Sequence, residues 1–572
     1  FSSNRSGIAQ VYVVASVGGA PTQLTWYPSA ASARGFTPDG KEILFSSGRE
    51  SAPTGYGRLW KVPVKGGPSE LLPAPWGFDG RYAPDGKKLV IDRVSRWDSE
   101  WRHYRGGQNT PLQILDLKTL AEEDIPTDGS EDIHPIWLSN EIFFLSDRGF
   151  IMNVWSYDVS TKAVRQVTNF TNGDVKWLEG NGNELIIEQD GYLHIVDPIY
   201  GKTTQLNISV IGDFPWAETR LENVTDEIAS ASLSPTGKRI LVEARGEIFT
   251  IPVENGDARN LTQSSGAADR RPIWSPDGKQ IAWFSDKDGE GYAMYISDQE
   301  GTKAPKKISI GESKLAWEAA WSPDGKFIAF ADNAVRVKVL EISNGKLLNI
   351  DVGGTNLERG SMGFTWSPDS KWLAYSKTES NSFRSIMVWN VDSKKVTSLS
   401  NPMADAISPA WDLNGRYLYF LASTNVALGS GWANTSSQQA QPTFGAYITL
   451  LRNDEPNPFP LKTDEEPDST SIAKTKDSKD TIAASKNVRI DWNNLDTRII
   501  AMPIPTGNYD GLLTGPKGSV LIISGSSLSK YVIADKKMED LVKGGSQFAV
   551  SANAEKILFK SGSGWRVVPT AK

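Results

Sequence analysis

The chain has 572 residues, a formal net charge of −7, no cysteine and three histidines. Such a length exceeds one ordinary domain, the charge argues against a nucleic-acid surface, and the lack of cysteine excludes disulfides and thiolate metal sites. Its apolar stretches are short and interrupted, so no transmembrane span is expected.

Phe1-Ser-Ser-Asn-Arg5 reads as the end of a strand, which places the natural N-terminus upstream. Val11–Val14, Gly18-Gly19 and Leu24-Thr25 then form an outer strand, a hairpin and a closing pair, half of a β-propeller blade. Next comes a phrase that recurs along the chain: a bulky residue, Ser-Pro-Asp-Gly-Lys, then alternating apolar residues. Its copies are Phe36–Lys41, Tyr82–Lys87, Leu233–Lys238, Trp274–Lys279, Trp321–Lys326 and the degenerate Trp366–Lys371. Pro fixes φ at the first corner of a turn, Asp bonds back to the backbone, and Gly takes the φ > 0 position. The bulky residue ahead of the turn ends a strand and is expected to pack between neighbouring blades. Pro38 to Pro84 spans 46 residues, Pro235 to Pro276 41, Pro276 to Pro323 47 and Pro323 to Pro368 45. Strand-type repeats of roughly 40–50 residues are the period of four-stranded propeller blades.

The fold class is therefore all-β, with two tandem β-propellers. Residues 1–207 hold about four and a half blades, anchored near Pro38, Pro84, Trp137 and Trp177, of a ring of six-bladed type that is incomplete at its N-terminal side. A gap is expected between the strands near Val11 and the blade at Trp177. Residues 208–220, with Gly212-Asp-Phe-Pro-Trp216, break the pattern as a linker. Residues 221–572 form a seven-bladed ring anchored near Pro235, Pro276, Pro323, Pro368 and Trp411, with a sixth blade around Ile490–Ile533 and a seventh around Phe548–Val568. Two polar insertions, Ser423–Gly445 and Lys462–Lys486, have the composition of surface loops, or of a cover for a channel mouth or a neighbouring subunit.

Motifs for chemistry are sparse. Gly311-Glu-Ser-Lys-Leu315 and Gly525-Ser-Ser-Leu-Ser529 both lack the closing Gly of a nucleophile elbow. His134 and His194 fall at a blade anchor and in a strand, where structural roles are expected. Gly201-Lys-Thr203 reads as a hairpin rather than a phosphate loop, and Asp286-Lys-Asp-Gly-Glu290 as a hairpin rather than a calcium loop. No catalytic residue, metal site or cofactor site is assigned. The most unusual stretch, Arg93–Gly107, sets Arg93, Arg96, Arg102, His103 and Arg105 among Trp97, Trp101 and Tyr104. It is either a solvated loop with arginines stacked on aromatics, or an electropositive patch for a carboxylate or another domain.

Trp101-Arg-His-Tyr-Arg-Gly-Gly107, Ile142–Asp147, Gly246–Pro252, Tyr447–Arg452 running into Asn457-Pro-Phe459, Ile490–Arg498 with Pro503–Tyr509, and Arg566-Val-Val-Pro569 occur in the order found in the tricorn protease family. The chain resembles the N-terminal pair of propellers of that family. The resemblance implies a six-bladed and a seven-bladed propeller, followed by a PDZ-like domain inside a serine-protease core that supplies the nucleophile. It further implies oligopeptide substrates admitted through the seven-bladed ring, a hexameric assembly and a cytoplasmic location, with a periplasmic one open. On this view the chain is a non-catalytic region that gates and channels peptides, and no membrane or nucleic acid is a partner. Adjacent arginines on a first-propeller loop hold the substrate carboxylate in the family. The matching stretch Ser51–Arg58 has no such pair, so Arg49 or Arg58 would have to substitute, with Arg102 and Arg105 as further candidates. The rival is a protein-interaction propeller like the periplasmic one of the Tol system, which needs a single six-bladed ring. An α/β-hydrolase with a propeller would instead carry Gly-x-Ser-x-Gly after the blades.

Overall fold

The computed structural model describes residues 1–94, 103–289, 291–313, 315–354, 362–425, 443–460 and 487–571. They divide into two compact units, Phe1–Glu218 and Thr219–Lys572. Each unit is a β-propeller of antiparallel sheets whose strands follow one another in chain order.

The repeated phrase makes the turn between the first and second strand of a sheet, and its bonds explain its spelling. Ser275 Oγ accepts the Gln280 N–H at 2.9 Å and donates to Asp277 Oδ1 at 2.6 Å, which in turn accepts the Lys279 N–H at 3.0 Å. Gly278 takes φ +73°. The bond from Ser275, then that from the Lys279 backbone, holds the Asp277 carboxyl below its usual range. The same network recurs at Ser322 and, in the degenerate copy, at Ser367, where Ser370 takes φ +63° in place of glycine. Where the phrase carries Trp, that residue packs between sheets. Trp366 is 7% exposed, and its indole N–H reaches the Ala320 carbonyl of the preceding sheet at 3.1 Å.

The first strands of neighbouring sheets lie against one another and line each unit's axis. Most carry a β-bulge, which breaks the two-residue alternation and re-aims one side chain. The bulged residue often clasps the next sheet. Glu318, at φ +51°, accepts the N–H groups of Met362 at 3.0 Å and Gly363 at 2.5 Å. Ser408, at φ +55°, accepts the Leu512 N–H at 2.8 Å.

The second unit has seven sheets, beginning with Ile228–Leu233 and ending with Gly564–Pro569. Seven apolar clusters join them in sequence around the ring. The last one sets Leu558, Trp565 and Val567 of the seventh sheet against Leu233, Ile240 and Val242 of the first, so this ring is closed. The segment Ile490–Ala501 differs from expectation. Ile499–Ala501 pairs with Gly445–Leu450 as the outer strand of the fifth sheet, and the sixth sheet starts at Gly511. The polar insertion separates two strands of one blade, and its length displaced the apparent boundary.

The first unit has five sheets, the first with three strands and the others with four. Four apolar clusters join first to second, second to third, third to fourth and fourth to fifth. Among the described residues no such cluster joins the fifth sheet, Val175–Gln205, to the first. Trp177, on the fifth sheet, is 43% exposed.

Candidate functional site

The turn between first and second strands, which carries the phrase in six sheets, lies at one end of its sheet, so the hairpin between second and third strands emerges at the other end. In the first unit this topology brings Arg49, Arg58 and the segment His103–Gly107 to one rim. Arg49 follows the strand Glu42–Ser47, and Arg58 opens the strand Arg58–Pro63, directly opposite Ser47. The Arg49 guanidinium lies 3.8 Å from the Trp60 ring centroid, 5.2 Å from Phe45 and 5.3 Å from Tyr27. It is only 9% exposed, and this burial lowers its pKa from the ordinary value. The Nε atoms of Arg49 and Arg58 are buried without a hydrogen-bond partner. Neither arginine forms an ion pair among the described residues. Arg49 is therefore a partly desolvated cation that feels the field of Glu50 and Tyr27 without a direct ion pair, a condition that favours holding an anion.

Arg105 is in a different state. It bonds both oxygens of Asp147, at 3.0 and 3.2 Å, and that carboxylate also accepts the N–H groups of His103 at 3.1 Å and Glu131 at 2.8 Å. The His103 ring stacks on Phe150 at 4.4 Å. Asp147 belongs to the next blade, so this bidentate pair pins the long loop to its neighbour and consumes the charge of Arg105. Arg93 is half-buried, whereas Arg102 and the tryptophans Trp97 and Trp101 lie outside the described residues. Of the four arginines the sequence groups, Arg49 and Arg58 form no ion pair among the described residues, whereas Arg105 does.

A second polar constellation lies on the axis of the same unit. Asp79, 2% exposed, accepts Arg81 Nη1 at 2.8 Å and meets His134 Nδ1 at 3.2 Å, with Arg34 Nε 3.7 Å away. Burial alone would raise the Asp79 carboxyl, but Arg81, His134 and Arg34 overturn that and hold it well below the usual range. Arg81 Nη2 bonds Glu179 at 2.8 Å, and the His134 ring packs 4.3 Å from Trp177. A cavity of about 920 Å³ opens beside this layer, lined by Tyr12, Phe36, Arg81, Trp137 and Glu179, at least one from each of the five sheets. This constellation escaped sequence reading because its members sit on four different sheets. The one local signal was charge at inner-strand positions, Asp79 and Arg81, where alternation calls for apolar residues.

The remaining motifs are engaged elsewhere. His134 is held by Asp79, and His194 meets the edge of Phe170 at 5.8 Å. Gly201 closes a hairpin onto the Asp197 carbonyl at 2.9 Å. Asp286 accepts the Ala268 N–H at 2.7 Å and Asp288 the Tyr295 hydroxyl at 2.8 Å, so these carboxylates close turns. Ser527 begins a strand directly after a two-residue hairpin, without the strand-to-helix elbow of a serine hydrolase.

Residues 1–202 match the family model of the tricorn protease N-terminal beta propeller domain, and residues 228–571 that of the tricorn protease second beta propeller domain. The chain is 25% identical over 602 residues to tricorn protease homolog 1 of Streptomyces coelicolor, covering 100% of this chain and 55% of that protein. It is 26% identical over 515 residues to a tricorn protease homolog of Saccharolobus solfataricus, covering 87% and 45%. A crystal structure of the tricorn protease shares the fold with a TM-score of 0.57 and 19% identity, over 98% of this chain and 55% of that one. The chain thus spans about half the length of the relatives it matches.

Proposed function

This chain belongs to the tricorn protease family, and we propose that it is the propeller region of a serine peptidase that degrades oligopeptides. On this reading the two propellers gate and guide peptides toward a protease core and PDZ-like domain outside these residues, within a homo-oligomer. The observation that carries it is the extent of the two matches, 1–202 and 228–571, which account for nearly all the folded mass. Propeller axes suit the task because inner strands present backbone and side chains to an extended chain.

Arg49 and Arg58 are the substrate contacts of this proposal, recognising a peptide carboxylate in place of an adjacent arginine pair. Two series of blades favour this reading over a single-ring interaction propeller of the Tol type. Two measurements test it. The codons that follow Lys572 should encode a serine-protease core; a stop codon or a nucleophile elbow of the α/β-hydrolase kind would overturn the reading. The purified chain should also leave fluorogenic peptides intact, and turnover that resists serine-protease inactivators would count against it.

A further inference from the structure

The Arg81–Glu179 bond joins the third sheet to the fifth, with the fourth sheet between them. Among the described residues the other inter-sheet contacts join neighbouring blades, whereas this bond passes the inner strand of the fourth sheet on its axial side. Both residues line the 920 Å³ cavity. The two ends of the Arg81 bridge differ sharply. Asp79 is 2% exposed and holds further bonds from Gly80 N–H at 2.7 Å and from His134, so that end is fixed. Glu179 is 41% exposed in its side chain, and Arg81 is its hydrogen-bond and ion-pair partner. An exposed arm of this kind is screened by salt and exchanges its partner at little cost, whereas the buried arm is not. The stem of Arg81 lies over Gly35 of the second sheet, whose added Cβ would sit 3.5 Å from Arg81 Cδ in ordinary contact.

We propose that Arg81 is a switchable bar across the bore of the first propeller. Bonded to both carboxylates it closes the bore; released by Glu179 it folds onto Asp79 alone and opens it. Nothing in this device depends on which solute passes, so it stands or falls apart from the peptidase reading.

The native chain has no cysteine, so one introduced thiol gives a background-free probe. Gly35→Cys places a thiol beneath Arg81, and its maleimide labelling rate is compared with that of the Gly35→Cys/Glu179→Gln protein. The second should label about fivefold faster, the scale of one half-exposed ion pair. Raising sodium chloride should speed the first protein toward the second and leave the second unchanged. Tyr200→Cys, at a position 83% exposed in the outer hairpin of the fifth sheet and away from the cavity, should label equally in both backgrounds. Equal rates at residue 35, or a parallel rise at residue 200 that signals general loosening, would overturn the proposal.

Discussion

Leu558→Ala is the sharpest test of how the second propeller is held shut. Leu558 is 0% exposed and stands in the cluster that joins the seventh sheet to the first. Removing three buried carbons costs about 2.4 kcal/mol at roughly 0.8 kcal/mol per methylene, and the residual cavity brings the expected loss to about 3 kcal/mol. For a unit of this size that lowers its melting transition by about 4 °C, at roughly 1–1.5 °C per kcal/mol. The informative assay is hydrogen exchange resolved by peptide. Because the seam is shared, protection should fall in Lys556–Ser561 and also in Arg239–Ala244, more than 300 residues away in sequence. Loss confined to the seventh sheet, with the first sheet unchanged, would refute the view that this cluster closes the ring.

Asp79→Asn should cost the first propeller about 3–5 kcal/mol by leaving Arg34 and Arg81 buried without their carboxylate. The folded Asp79 pKa lies below the unfolded value, so its contribution is present above the ordinary carboxylate range near pH 4 and is lost only as pH falls through the depressed folded value. Melting curves of wild type and variant should accordingly stay separated down to about pH 4 and converge only in stronger acid. Ser370→Ala keeps a side chain at φ +63° while removing the hydroxyl that accepts the Asp324 N–H at 2.9 Å, and should lower stability by about 1 kcal/mol in chemical denaturation. Ser370→Gly loses the same bond but relieves the backbone, so it should fall closer to wild type. Arg49→Met should weaken calorimetric binding of a short peptide with a free C-terminal carboxylate by about tenfold and leave the C-terminal amide unaffected.

The turn phrase was legible because its logic is contained within six residues. Ser275, Asp277 and Gly278 each satisfy a neighbour at most five positions away, so composition alone points to the conformation. The period of those turns pointed to propeller blades. The sixth blade was displaced because the polar insertion after Lys462 interrupts a blade between its third and fourth strands, a place where period carries no information. The inner-strand bulges were not legible. His134 and Glu318 adopt left-handed backbone inside strands of ordinary composition, and what holds them is a partner on another sheet. Arg49 could be named from sequence, yet its lack of a counter-ion depends on Trp60, Phe45 and Tyr27 folding around it. Arg105 looked equivalent in sequence and is not, because Asp147 lies 42 positions downstream on the next blade.

The unbroken run of seams around the second propeller has a mechanical consequence. Seven sheets joined by seven clusters leave no sheet with a free broad face, so a pulling force must break two seams before any blade leaves. Tension applied to the second propeller would therefore tear it in one larger event rather than release its blades one at a time.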